Sequence, residues 1–218
     1  MPIFLLAFPA LFSIVNPVGI AFVFLSATGR FSHSLRASLA RWIAIYSFVI
    51  VTASVYVGAY VLTFFGVSVP VLRVAGGIVI ALSAWKMLNS DDATDSRSET
   101  PSAEVIESDR ASRMAFYPLT MPLTTGPGTI SVAVSLGTNR PHTIGEGKIL
   151  WFMVQMTLAT VLLCASIYVL YRNADAISRW LGPTGTSVIT RLSAFLLFCI
   201  GIQIFWNGAA ELLGTLVR

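Results

Sequence analysis

The fold class this sequence predicts is an all-α membrane protein, six transmembrane helices arranged as two inverted three-helix repeats. Three observations predict it. Of the 218 residues 56% are hydrophobic and only 11% charged, with a mean hydropathy of +0.79, a balance that soluble domains do not show. The apolar residues fall into six runs of the length a helix needs to cross a bilayer. The first and fourth of these runs are each interrupted by proline and glycine, at corresponding places in the two halves of the chain.

The first run, from Ile3 to about Ser26, follows Met1-Pro2, which carries no basic side chain, and is longer than the apolar core of a secretory signal, so it is expected to be a retained span. It is broken at Asn16-Pro17-Val18-Gly19. Pro17 frees a carbonyl one turn earlier, and Asn16 offers both a donor and an acceptor at about mid-depth. The plainer alternative is a proline-kinked helix whose asparagine bonds a neighbour.

A basic connection with Arg30, His33 and Arg36 leads to the second helix, expected over Leu39 to Phe65, longer than a simple crossing and therefore tilted or emergent. Gly66 to Pro70 reads as a tight turn. The third helix runs to about Leu88 and carries Ala75-Gly76-Gly77, small residues that suit close helix packing. From Asn89 the composition changes: seven of the ten acidic residues lie between Asp91 and Asp109, in a segment rich in Ser, Thr and Ala that cannot bury a core. Residues 89–113 are therefore expected to be a solvated linker between a first repeat at 1–88 and a second at 114–218.

The fourth run, Met114 to Leu136, contains Tyr117-Pro-Leu-Thr-Met-Pro-Leu-Thr-Thr-Gly-Pro-Gly-Thr129, three prolines and two glycines in an apolar setting. Pro122 and Pro127 predict a break, and Gly126 and Gly128 admit close approach of backbone or ligand. At membrane depth such a segment is tolerated only where protein or a polar cavity surrounds it. A loop through Asn139, Arg140, His142 and Glu146 follows. The fifth helix is expected over Ile149 to Tyr171, a connection over Arg172 to Thr186, and the sixth helix over Ser187 to Leu213.

Each half holds three spans, an odd number, so the second half enters from the opposite face. The punctuation repeats: Phe8-Pro9 matches Tyr117-Pro118, Pro17 matches Pro127, and Arg73 of Arg-Val-Ala-Gly-Gly matches Arg191 of Arg-Leu-Ser-Ala-Phe. Ten of the fourteen basic residues lie near span ends on one side, and Arg73, Arg140, Lys148 and Arg218 on the other. The richer side is expected to be cytoplasmic, with both termini external and the linker inside. Scattered in this way, the net charge of +4 forms no patch for nucleic acid. Cys164 and Cys199 lie inside apolar runs without metal-ligand spacing and read as packing residues; no metal or cofactor is expected.

At Asn16-Pro17-Val18-Gly19 followed by Phe24-Leu25-Ser26-Ala27-Thr28, and at Pro122-Leu123-Thr124-Thr125-Gly126-Pro127-Gly128-Thr129-Ile130, the chain resembles the MarC family. The resemblance extends over nearly the whole chain, with Arg-x-x-Gly-Gly at Arg73 to Gly77 in the third span. It implies a bacterial inner-membrane protein whose relatives include carriers of glycine, alanine and similar small amino acids.

A zwitterion needs two opposite partial charges, and interrupted helices provide both without charged side chains: free N–H groups for a carboxylate and free carbonyls for an ammonium. The candidate substrate site is therefore Asn16, Pro17 and Gly19 with Thr124, Thr125, Gly126, Pro127, Gly128 and Thr129, and Gln203 and Asn207 of the sixth helix stand behind them, with interhelical hydrogen bonding as their plainer role. Arg73 and Arg191, at helix starts that oppose their charge, are expected to snorkel or to bond a nearby loop. The expected function is transport of small neutral amino acids by alternating access. A passive pore for small polar solutes is the alternative. An intramembrane enzyme is the reading from another class, disfavoured because no acid, Ser/His or Cys/His pair falls at mid-depth to act as a base. The expected partners are the amino acid and the lipid bilayer; the sequence assigns no coupling ion and no oligomeric state.

Overall fold

The computed structural model describes residues 3–28, 31–89, 114–139 and 146–216. These residues are helical throughout, with no strand among them: α1 (Ile3–Val15), α2 (Pro17–Ala27), α3 (His33–Phe64), α4 (Val69–Asn89), α5 (Ala115–Thr124), α6 (Pro127–Gly137), α7 (Glu146–Arg172) and α8 (Ala174–Leu216). Five segments are long and apolar enough to cross a bilayer: Ile3–Leu25, His33–Phe64, Val69–Asn89, Lys148–Arg172 and Thr184–Gly214. The fourth expected span is instead two short pieces, α5 of 10 residues and α6 of 11. The acidic segment from residue 90 onward and most of the loop before α7 lie outside the described residues.

Two boundaries differ from expectation. The second span begins at His33, six residues early, because Ser32 caps it: its hydroxyl accepts from the Leu35 N–H at 3.3 Å. The expected connection over Arg172 to Thr186 is largely helical, since α8 starts at Ala174 and its backbone departs from helix only at Gly182, with φ 69° and ψ 174°. That positive φ suits glycine, and the turn before α4 uses Gly66 in the same way, with φ 68°.

Helices α3 and α7 form the centre. Leu39, Ile43, Ser47, Val51 and Val55 of α3, and Phe152, Met156, Leu163 and Ile167 of α7, are buried at helical spacing on one face of each. The outer faces carry large apolar groups such as Val49, Val57, Leu158 and Leu162, as expected where the solvent is lipid. Since lipid supplies no hydrophobic drive between helices, close van der Waals packing of small residues must hold them. It does so between α4 and α8: a Cβ on Gly77 would stand 2.7 Å from the Gly201 carbonyl, and one on Gly208 would stand 2.7 Å from the Pro70 carbonyl. The expected packing role of Gly76 and Gly77 holds.

Helix α3 packs on α5, α6 and α7, while α7 packs on α1, α2 and α3; α4 packs on α6 and α8, while α8 packs on α2 and α4; α1 also meets α6, and α2 meets α5.

Candidate functional site: two helix breaks and a cavity

The first break is made by Asn16, the N-cap of α2, whose φ of 47° and ψ of 56° are left-handed. Asparagine tolerates this conformation because its short side chain bonds locally. Its Oδ1 accepts from the Gly19 N–H at 3.2 Å, and its Nδ2 donates to the Ser193 carbonyl of α8 at 3.3 Å. Pro17 occupies the first position of α2, where no intrahelical donor is needed. Across the break the backbone bonds run from the Asn16 N–H to Phe12 and from the Ile20 N–H to Asn16. The carbonyls of Ser13, Ile14 and Val15 thus gain no helical partner from α2, and they form the negative end of α1.

The second break is longer. Tyr117 and Met121 are extended, at φ/ψ of −127°/124° and −109°/121°, and each precedes a proline, whose ring excludes the helical region for its neighbour. The rest of α5 winds in wide turns with bonds to the fifth residue back. Threonine hydroxyls close these turns: Thr120 donates to the Ala115 carbonyl at 2.7 Å and Thr124 to the Leu119 carbonyl at 2.8 Å. With its single proton committed, Thr124 accepts from the Tyr171 hydroxyl at 3.0 Å, and Tyr171 stacks on Phe24 of α2, ring centroids 4.9 Å apart. Thr125 donates to Ser47 of α3 at 2.8 Å. Helix α6 then opens at Gly126 and Pro127 without a side-chain cap, leaving its first N–H groups as a free positive end.

Helices α2 and α6 correspond closely. Both have 11 residues, both begin with proline, and their starts lie 110 positions apart. Both end on a threonine whose hydroxyl donates backward, Thr28 to Phe24 and Thr138 to Ser135, each at 2.7 Å. Each also sits on the last helix of the other half. Gly19 lies against Ser193 of α8, where a Cβ would come within 2.8 Å, and Gly128 lies against Ile80 of α4. Ser131 extends the second contact by donating to the Leu72 carbonyl at 2.9 Å.

A cavity of about 480 Å³ lies between α1, α4, α6 and α8, lined by Ala10, Ser13, Ile14, Arg73, Val132, Ser135, Ile200, Ile204 and Asn207. Of the residues expected at the site, Asn207 alone lines it. Thr124, Thr125 and Thr129 are buried and Gly128 and Gly19 are packed against helices, while Asn16 is half-buried and Pro127 exposed. Asn16 and Gly19 come together on α8; Gly128 joins α4 instead. Gln203 and Asn207 bond each other along α8 at 2.8 Å rather than bridging helices. Arg73 neither snorkels nor bonds a loop: it donates through Nε to Ser135 at 2.8 Å and through Nη1 to Glu211 at 2.6 Å. Thr120, Ser13 and Ser135 stand outside the expected set. The tandem Pro-Leu-Thr repeat signals Thr120, but no local pattern signals the serines, which matter only because α1 and α6 meet.

The model of the MarC family integral membrane protein matches residues 1–213. The inner membrane protein MarC of Escherichia coli O1:K1 is 34% identical over 207 residues, covering 94% of this chain and 93% of the relative. The proteins of the same name from Escherichia coli K12 and Shigella flexneri are each 33% identical over the same shares. No solved structure matches the chain.

Proposed function

The chain belongs to the MarC family and is a multi-pass inner-membrane protein, and from that premise we propose that it carries small neutral amino acids such as glycine and alanine by alternating access between two inverted repeats. The observation that carries the reading is the correspondence of α2 and α6, two proline-led helices of equal length, each seated on the other half's last helix. The packing supports it further. Exchanging α1 and α2 for α5 and α6, α3 for α7, and α4 for α8 turns the α3–α6 contact into α7–α2, α3–α5 into α7–α1, and α4–α6 into α8–α2, all of which exist. Such symmetry is what a carrier with inverted repeats requires, and its substrate site falls where the broken helices meet.

The breaks supply the chemistry. The free carbonyls ending α1 offer partial negative charge to an ammonium group, and the uncapped N–H groups opening α6 offer partial positive charge to a carboxylate. Ser13 and Ile14, whose carbonyls are freed by the first break, line the cavity, so it leads toward that end of α1. Its other lining residues come from the first turns of α4 and the later turns of α6 and α8, the face that the basic-residue division makes external. At the opposite end Arg36 of α3 pairs with Asp175 of α8 at 2.6 Å, and the stacked Phe24 and Tyr171 rings pack under Thr124 of the second break. A cavity reaching inward from one face above a closed layer fits a carrier in its outward-facing arrangement, and it disfavours a continuous pore.

Counterflow tests the proposal. Proteoliposomes loaded with unlabelled alanine should transiently concentrate labelled glycine or alanine above equilibrium. Uptake that only equilibrates, with no overshoot, would reassign the protein as a pore, and no movement of any small amino acid would end the reading.

A further inference from the structure

We propose that Arg73 on the cavity wall and Glu211 paired beside it form an outer recognition site for α-amino acids, in which Arg73 takes the carboxylate and Glu211 takes the ammonium group before the substrate reaches the helix breaks. The inference rests on the carrier reading above and adds to it a second site made of side chains.

Arg73 lies one turn into α4, where the helix dipole opposes a cation, and it borders a cavity whose other lining residues are mostly apolar. Paired with Glu211 near a span end, it presents a guanidinium to the cavity wall. Arg73 links α4 to Ser135 of α6 and to Glu211 of α8, but the α4–α8 contact also has backbone packing at Gly77 and Gly208 and does not depend on the ion pair alone.

The hydrogen-bonding inventory shows spare capacity. A guanidinium has five N–H donors, and Arg73 commits Nε to Ser135 and Nη1 to Glu211, so that Nη2 bonds to no described residue. Glu211 uses Oε2 on Arg73, stands one turn beyond Asn207, which lines the cavity, and has a side chain 50% exposed. A zwitterion can insert into this pair without leaving a charge alone. Its carboxylate takes the fork of Arg73, and its ammonium takes the Glu211 carboxylate. A simple carboxylate would strand Glu211, and a simple amine would strand Arg73, so the pair selects for molecules bearing both charges.

Size selection does not occur here. A water molecule occupies about 30 Å³ in the liquid, so a cavity of about 480 Å³ holds an amino acid with its hydration water whatever its side chain. The outer site therefore reads the backbone of the amino acid and leaves the side chain to the breaks.

The test uses Ala10→Cys in the full chain with Cys199→Ser, purified in nanodiscs, and follows the rate at which an impermeant thiol reagent labels the cavity. L-Alanine and L-leucine should both slow labelling, while propionate and ethylamine at the same concentration should not. Arg73→Gln and Glu211→Gln should each weaken protection by at least about tenfold, the scale of one hydrogen bond to a charged group, with thermal unfolding recorded alongside. Equal protection by propionate and alanine, protection by alanine but not leucine, or full protection in a folded Arg73→Gln protein would each overturn the proposal. Should either variant fail to fold, the four-ligand comparison in the unsubstituted Arg73–Glu211 protein decides by itself. Protection by both amino acids in a protein that shows no counterflow would end the carrier reading and leave this site standing. Normal counterflow with no protection would end this site alone.

Discussion

Arg36 and Asp175, 139 residues apart, meet at 2.6 Å and tie the start of α3 to the start of α8. The pair is largely removed from solvent, with side chains 16% and 22% exposed, and the Arg36 Nε is buried without a partner. Breaking it leaves one charge poorly solvated. Asp175→Asn should cost about 1–3 kcal/mol of stability and open the closed end of the bundle. The reversed pair, Arg36→Asp with Asp175→Arg, should recover at least half of what either reversal loses. Thermal unfolding and counterflow of the two single reversals and the double form the check, and additive losses would exclude a pairwise role.

Asn16 combines three tasks, and substitutions separate them. Asn16→Gly keeps the left-handed backbone but loses both side-chain bonds, whereas Asn16→Ala loses the bonds and adds backbone strain of about 1 kcal/mol. Stability should fall in the order Asn, Gly, Ala. Amino-acid binding should fall equally in the two variants if the side chain helps to form the site, and equal binding in all three would reduce Asn16 to a structural cap.

Gly128 has no room for a side chain, because a Cβ there would meet Ile80. Gly128→Val should abolish transport and lower the unfolding temperature. In Gly128→Ala the added methyl should be relieved by Ile80→Ala, which removes the γ and δ carbons it meets, so that the double variant is more stable than Gly128→Ala alone. Failure of that rescue would mean that Gly128 is required for its backbone or for ligand approach rather than for the contact with α4.

In α5 the threonine hydroxyls reinforce the wide turns by bonding the carbonyls five residues back. Thr120→Val and Thr124→Val should each cost about 1 kcal/mol by removing a buried hydrogen bond, and Thr124→Val should cost more because the Tyr171 hydroxyl loses its acceptor. Thr→Ser at either position should retain most of the stability. Unfolding of the four variants in detergent measures the series.

How much of this was legible depends on how local the cause is. The five long spans follow from composition alone, and both breaks follow from prolines whose effect reaches only one turn, which is why Asn16, Pro17, Gly126 and Pro127 fall where the sequence puts the interruptions. The helical course from Ala174 to Leu216 departs from the connection expected over Arg172 to Thr186, because a single positive φ at Gly182 is enough to turn the chain. The cavity was hidden for another reason. Its polar members Ser13, Arg73, Ser135 and Asn207 come from four different helices, and no spacing within one helix announces that they converge.

The glycine contacts between α4 and α8 have a mechanical consequence. Where backbones touch at Gly77, Gly201 and Gly208 there is no intervening layer of side chains to change rotamer, so the two helices are expected to move as one unit. They act as an axle fixed in the bundle. Helices α2 and α6 meet this pair through Gly19 on Ser193 and Gly128 on Ile80, and in the carrier proposed above a swing that exposes the opposite face would turn on those bearings. A bulky residue at Gly77 or Gly201 would thus split the axle, whereas one at Gly19 or Gly128 would jam a bearing on an intact shaft.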